Sequence, residues 1–213
     1  MAIDELLDEH EQGERVRGWI RRNGAGVIGG IVIGLGVVGG WQWWQKDQAD
    51  RRALAGTRYQ AALKSVESGG MPKTGTDFTA LKDTAYGPLA ALALAKAQID
   101  GGRRDAAIAT LRAAPRGDAG TNAVIDQRLA RLLVDAGKPA DAIKVLANAT
   151  GTGALEILGD AELAAGKRDQ AQASYRKALA TAEVGSPQRR LLELKLSDAG
   201  GMAPATPTPE ADS

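Results

Sequence analysis

Few residues of this chain could carry chemistry. It contains no Cys and a single His, His10. Thiol nucleophiles, disulfides and cysteine metal sites are thereby excluded. A lone His in the acidic opening segment MAIDELLDEHEQGE reads as a solvated surface residue rather than a ligand. The sequence holds no acids paired in an apolar setting, no nucleophile beside a base, and no cluster with metal-ligand spacing. The glycine-rich stretch at 24–40 is not a phosphate loop, because no strand precedes it and no Lys-Ser/Thr follows. Arg103-Arg104-Asp105 reads as a solvated turn. The expectation is a chain with no enzymatic activity and no cofactor, whose function lies in its surfaces.

Charge narrows those surfaces. The net charge of +1 over 213 residues hides a partition. Residues 1–22 hold four Arg against six Asp/Glu, and residues 46–196 hold 23 Lys/Arg against 17 Asp/Glu. The basic excess is dispersed, with no Lys/Arg run longer than two, whereas nucleic-acid binding clusters its cations on one face. No nucleic-acid partner is expected.

The element that organises the rest is GVIGGIVIGLGVVGGWQWW, residues 26–44. Arg22 and Lys46 bracket 23 residues without a charge. As a helix they extend about 35 Å, enough to cross a hydrocarbon core of about 30 Å. The stretch exceeds the apolar core of a secretion signal, and the small-x-small triplet Ala53-Leu54-Ala55 lies behind five charges. A retained membrane anchor over 23–45 is predicted. All four Trp flank it, Trp19 on one side and Trp41, Trp43 and Trp44 on the other, where indole rings prefer the lipid–water interface.

At 100° per residue, Gly26, Gly29, Gly30, Gly34, Gly36 and Gly40 share one side of that helix, opposite Val27, Ile28, Ile31, Val32, Leu35 and Val38. Glycine weakens a helix, so a glycine face points to close packing against another membrane helix, a second copy or another protein. Arg15, Arg17, Arg21 and Arg22 precede the span and Lys46, Arg51, Arg52 and Arg58 follow it. The count is nearly balanced, and the denser N-terminal arginines favour a cytoplasmic N-terminus. The 1–22 tail reads as a weakly amphipathic helix whose basic half meets lipid headgroups.

Beyond the span, a helix over 47–67 is expected, with Tyr59, Ala62, Leu63 and Val66 as its core face, then a short helix around 76–84. From Tyr86 the chain repeats itself. LAKAQIDGGRRDAAIATLRAA (94–114), LARLLVDAGKPADAIKVLANA (129–149) and LGDAELAAGKRDQAQASYRKA (158–178) align without gaps. Ala95, Ala130 and Gly159 correspond. So do Gly102, Gly137 and Gly166; Ala107, Ala142 and Ala171; and Leu111, Leu146 and Tyr175. Such a layout makes helical hairpins: small residues let two helices approach, a glycine with positive φ ends the first, and a large residue fills the space against the next hairpin. It resembles the tetratricopeptide repeat, with the aromatic position held by Leu in two copies. A helix over 186–197, carrying Leu191, Leu192, Leu194 and Leu196, caps the array, and GGMAPATPTPEADS reads as a Pro/Ala/Thr tail.

The fold expectation is all-α: one N-terminal transmembrane helix followed by tetratricopeptide-like hairpins. The parts are a tail (1–22), a membrane helix (23–45), membrane-proximal helices (46–85), repeats with a cap (86–197) and a terminal tail (198–213). Stacked hairpins line a concave face with their first helices. The expected groove positions are Leu92, Lys96 and Ile99, then Gln127, Arg131 and Val134, then Glu156, Asp160 and Leu163. This mixture of apolar and charged side chains suits a peptide or a partner helix.

The order of parts carries a resemblance. An acidic tail precedes E-x-x-x-V-x-x-W and Asn23-Gly24. One glycine-rich membrane helix, Gly40-Trp41 with Trp44, the Tyr59-Gln60-Ala61 helix and YGPLAALALAKAQID from Tyr86 follow. Up to about residue 198 the chain resembles the YfgM family of bacterial inner-membrane proteins with a periplasmic tetratricopeptide-like domain. The resemblance implies a cytoplasmic N-terminus and periplasmic repeats. It implies an ancillary role at the SecYEG translocon beside PpiD, a membrane-anchored periplasmic chaperone. It carries over no active-site residues. The alternative function is regulatory: an acidic tail, 1–14, that sequesters a cytoplasmic regulator of envelope stress.

Overall fold

The computed structural model describes residues 2–67, 78 and 80–202, with side chains from residue 17 onward. Helix α1 runs Ala2–Glu67 without interruption. The sequence reading separated the 47–67 helix from the membrane helix; the structure joins them. The reason is local: between Gly40 and Gly56 no Pro or Gly interrupts the chain, and Arg51 reaches back one turn to Asp47 at 2.8 Å, an i,i+4 pair that supports a helix.

Two compact units divide the chain, residues 1–54 and 55–213. In the first, the helix is apolar and long enough to cross a membrane, with mean hydropathy 1.8 in its richest window and none of that window buried. A soluble protein's core helix would be covered by its own chain. Trp41 and Trp44 tilt against each other at 5.3 Å between ring centroids.

The second unit opens with the end of α1. Ala55 and Ala62 bury against Phe78, Leu81 and Ala90, with Tyr59 and Val66 packed on the cluster. Tyr59 stacks on Tyr86 at 5.4 Å. The expected short helix around 76–84 lies partly outside the described residues. What is described is a chain of tight turns, Leu81 N–H to Phe78 O, Thr84 N–H to Leu81 O and Gly87 N–H to Thr84 O. Gly87 ends these turns where a Cβ would stand 2.5 Å from the Lys82 carbonyl oxygen and 2.8 Å from Pro115 Cγ. Only glycine fits there, which explains the Tyr86-Gly87 entry to the repeats.

The repeats follow as α2 (Gly87–Asp100) with α3 (Arg104–Arg112), α4 (Ala119–Asp135) with α5 (Pro139–Val145), and α6 (Thr152–Ala164) with α7 (Arg168–Thr181). Helix α8 (Pro187–Asp198) closes the array. The first helix of each pair ends alike. Gly102, Gly137 and Gly166 take φ of 73°, 69° and 76°. The next amide donates back across the turn: Arg103 to Gln98 O, Lys138 to Leu133 O and Lys167 to Glu162 O. This is the Schellman motif, which satisfies carbonyls the helix leaves open. Asp118 starts α4 by accepting from the Thr121 amide and hydroxyl at 2.9 and 2.6 Å. Those bonds, the hydroxyl's foremost, hold its carboxyl below the usual range. Ser186 caps α8 by accepting from the Arg189 amide, with Pro187 in the first turn.

The aligned positions form the core. Ala107, Ala142 and Ala171 are fully buried, as are Leu111, Leu146 and Tyr175. The leucines of the capping helix divide between two faces. Leu192 and Leu196 are buried, while Leu191 and Leu194 are exposed.

Candidate partner-binding groove

Helices α2 and α4 are the first helices of neighbouring hairpins, and a groove of about 210 Å³ opens between them. Its apolar lining comes from Leu92, Ala95 and Ile99 of α2, Leu111 of α3 and Leu132 of α4. The charged lining is Lys96, Arg128, Arg131 and Asp135. Lys96 is held by Asp100 one turn on, at 2.6 Å. The Arg104 guanidinium donates to the Asp135 carbonyl at 3.2 Å, tying α3 to the end of α4. Both arginines of α4 lie exposed on the rim. The groove therefore offers a greasy floor under a cationic edge. It can hold an amphipathic segment whose carboxylates meet the arginines.

Of the nine expected groove positions, the structure brings four together here: Leu92, Lys96, Ile99 and Arg131. Arg128, Leu132 and Asp135 join them, and alignment of the repeats alone had passed over all three. Helix α4 contacts α2 on one side and α6 on the other. Its groove-facing stripe is consequently rotated by one residue relative to that of α2. The spacing 128, 131, 132, 135 is itself a helical face and could have been read as one.

The remaining five sit elsewhere. Gln127 lines a separate hollow of mixed character, with Arg116, Asn122 and Asp126 beside Val145, Leu146 and Ala149. Val134 packs on the central core, and Leu163 packs on the C-terminal core. Glu156 and Asp160 are engaged by the capping helix. Lys195 Nζ donates to Glu156 Oε1 and to Asp160 Oδ2, both at 2.7 Å. Gln188 donates to the other Glu156 oxygen at 3.2 Å, and the Tyr175 hydroxyl donates to Asp160 Oδ1 at 2.8 Å. Burial opposes charge on Glu156, but the hydrogen bonds from Lys195 and Gln188 outweigh it and hold the carboxyl below its ordinary value. Burial likewise works against the Lys195 ammonium, and its bonds to Asp160 and Glu156 outweigh that and raise it. Burial, then the bond to Asp160, pushes the Tyr175 phenol well above its usual range. These groups form a partly buried polar clasp, with Glu156 its most covered carboxylate at 7% exposed.

On α1, a Cβ at Gly26, Gly29, Gly30, Gly34, Gly36 or Gly40 would meet nothing within 4 Å among the described residues beyond the helix's own backbone. The glycine face is open. Among the described residues, no group of three His, Cys, Asp or Glu side chains is arranged to hold a metal ion.

A family model described as "Tetratricopeptide repeat-like domain" matches residues 17–201, a span that takes in the apolar helix as well as the hairpins. The chain is similar to the "Ancillary SecYEG translocon subunit" of Escherichia coli (strain K12), 29% identical over 200 residues, covering 90% of this chain and 96% of the relative. A protein of the same description in Haemophilus influenzae is 25% identical over 202 residues, covering 90% and 98%. A third, in Aggregatibacter actinomycetemcomitans, is 26% identical over 201 residues, again covering 90% and 98%.

Proposed function

The chain belongs to the tetratricopeptide repeat-like family that its sequence resembles, the YfgM family, and on that premise we propose that it is an ancillary, non-enzymatic subunit of the SecYEG translocon. Residues 23–45 anchor it in the bacterial inner membrane by a single pass. The N-terminal tail lies in the cytoplasm with its arginines at lipid headgroups, and the repeats lie in the periplasm. There the domain acts as a scaffold and co-chaperone. The groove between α2 and α4 holds a segment of a PpiD-like periplasmic chaperone or of an emerging client. The glycine face of α1 packs on a membrane helix of the complex.

One observation carries this reading. The match to the Escherichia coli translocon subunit extends over 90% of this chain and 96% of that protein, so anchor and repeats are shared as a unit. The chemistry of the groove supports it as well. An apolar floor with exposed guanidinium groups at its edge suits reversible capture of a polypeptide.

The test is affinity purification of the full-length protein from membranes in mild detergent. SecYEG subunits and a periplasmic chaperone in near-stoichiometric amounts are expected. Recovery of a cytoplasmic regulator alone would overturn the reading and favour sequestration by the acidic tail, 1–14. Deleting residues 2–14 separates the two: loss of stress regulation with translocon association intact would favour the regulatory reading.

A further inference from the structure

The end of a repeat array normally turns a polar face to water. Helix α8 does not. Leu192 and Leu196 face the core and are fully buried, which fixes the rotation of the helix. At 100° per residue, Leu194 then stands at the centre of the outward side, with Leu191 beside it. They are 64% and 45% exposed. Arg190 and Asp198, both exposed, lie on the same outward side, one turn before and one turn after Leu194. Neither side chain has an ion-pair partner among the described residues.

We propose that this face of α8 is a self-association surface whose occupant is α8 of a second copy of the chain. The argument is its charge symmetry. A twofold axis through Leu194 sets two α8 helices antiparallel. Each Arg190 then comes level with Asp198 of the other copy, about 6 Å along the axis from the central leucine. Two cross-helix ion pairs flank a core made by Leu191 and Leu194 from both copies. A parallel arrangement would instead set Arg190 beside Arg190 and Asp198 beside Asp198. The patch is small, so its affinity in free solution is low. Confinement to a membrane by residues 23–45 supplies the local concentration that a weak contact needs. That last step rests on the anchored reading above; the complementarity of the face does not.

The absence of Cys from the chain makes the test clean. Leu194→Cys is introduced into the full-length protein in native membranes, and a mild oxidant is added. A residue on the twofold axis faces its own copy, so a disulfide-linked dimer is expected, at about tenfold the yield of Lys144→Cys, a control whose parent side chain is 80% exposed. Within the Leu194→Cys background, Arg190→Asp and Asp198→Arg each reduce the dimer, and combining them restores it. Dimer yield no greater than the control's, an adduct with a different protein in place of the dimer, or failure of the combined reversal to rescue would each overturn the proposal. The rescue also separates this surface from dimerisation by the glycine face alone, which would leave the yield insensitive to charge.

Discussion

Gly159 of α6 lies so close to Tyr175 of α7 that a Cβ built on it would stand 2.5 Å from the ring's Cε1. The equivalent pairs in the other two hairpins are Ala95 with Leu111 and Ala130 with Leu146, all buried in the central core. There an alanine Cβ stands at the position that glycine holds here, and the side chain it is paired with is a leucine. The broad tyrosine ring requires the backbone itself. Gly159→Ala is therefore expected to lose about 1–3 kcal/mol through overpacking, offset in part by about 1 kcal/mol of helix propensity. Denaturant unfolding of the variant checks the sign. The sharper check is a double substitution: Gly159→Ala with Tyr175→Leu recreates the pairing of the other hairpins. It should recover more stability than the sum of the single effects allows.

The clasp beneath α8 predicts a pH profile. Lys195 is 24% and Glu156 9% exposed at the side chain, so their bond is shielded enough to count. The Glu156 carboxyl is held below its ordinary value. Its contribution is present above the unfolded carboxylate pKa and is lost as pH falls through the folded one. Lys195 is raised, so its contribution is complete below the ordinary lysine pKa and is lost as pH rises through the folded one. Stability should be flat between these limits. Lys195→Met leaves Glu156 and Asp160 without their cation and should cost about 2–3 kcal/mol near neutrality. That loss should shrink as the medium is acidified toward the carboxylate range. Thermal unfolding as a function of pH reads both effects, and a loss unchanged on acidification would mean the cost is one of packing.

The repeat was legible because its physics is local. A positive φ at Gly102, Gly137 and Gly166 and the burial of Ala107, Ala142 and Ala171 follow from steric rules within one hairpin. The boundaries of the cap were legible for the same reason, since Ser186-Pro187 is a helix-start signal. What was not legible depends on how elements meet. Glu156 and Asp160 occupy positions that face a groove in an ideal repeat, yet here Lys195, 39 and 35 residues away, takes both. No spacing within α6 announces that. The groove face of α4 was misjudged by one residue because alignment transfers sequence position, not the rotation that a helix adopts between two neighbours. The unbroken course of α1 was missed for a different reason: a change in composition at Lys46 does not by itself break a helix, and no Pro or Gly stands between Gly40 and Gly56 to do so.

The groove should discriminate by charge. Arg128 and Arg131 edge an apolar floor, and each exposed pair formed with a partner carboxylate is worth up to about 1 kcal/mol. Arg128→Glu and Arg131→Glu together should thus weaken retention of an acidic partner segment by up to about thirtyfold and make what remains less sensitive to salt. Lys96→Glu should add to this, with the loss of its Asp100 partner. Because these side chains are exposed, thermal stability should stay near that of the parent. Partner pull-down at two salt concentrations, alongside a melting curve, checks the prediction. A collapse of the melting temperature would make the residues structural instead.

The glycine face of α1 carries the last expectation. Among the described residues nothing comes within 4 Å of a Cβ built on Gly30, so Gly30→Leu places a large side chain where no described contact resists it. The repeat domain, whose core begins at Ala55, should unfold at an unchanged temperature. If a second membrane helix packs on this face, the new side chain holds the two backbones apart, and close contact is lost. Co-purification of membrane partners in mild detergent should then fall severalfold. Val32→Leu is the control, since Val32 lies on the opposite side of the helix and is already a large exposed side chain. It should leave the complex intact. Equal losses from both substitutions would mean that the helix is held by its overall hydrophobicity, and equal retention would mean that the partner grips the chain outside the membrane.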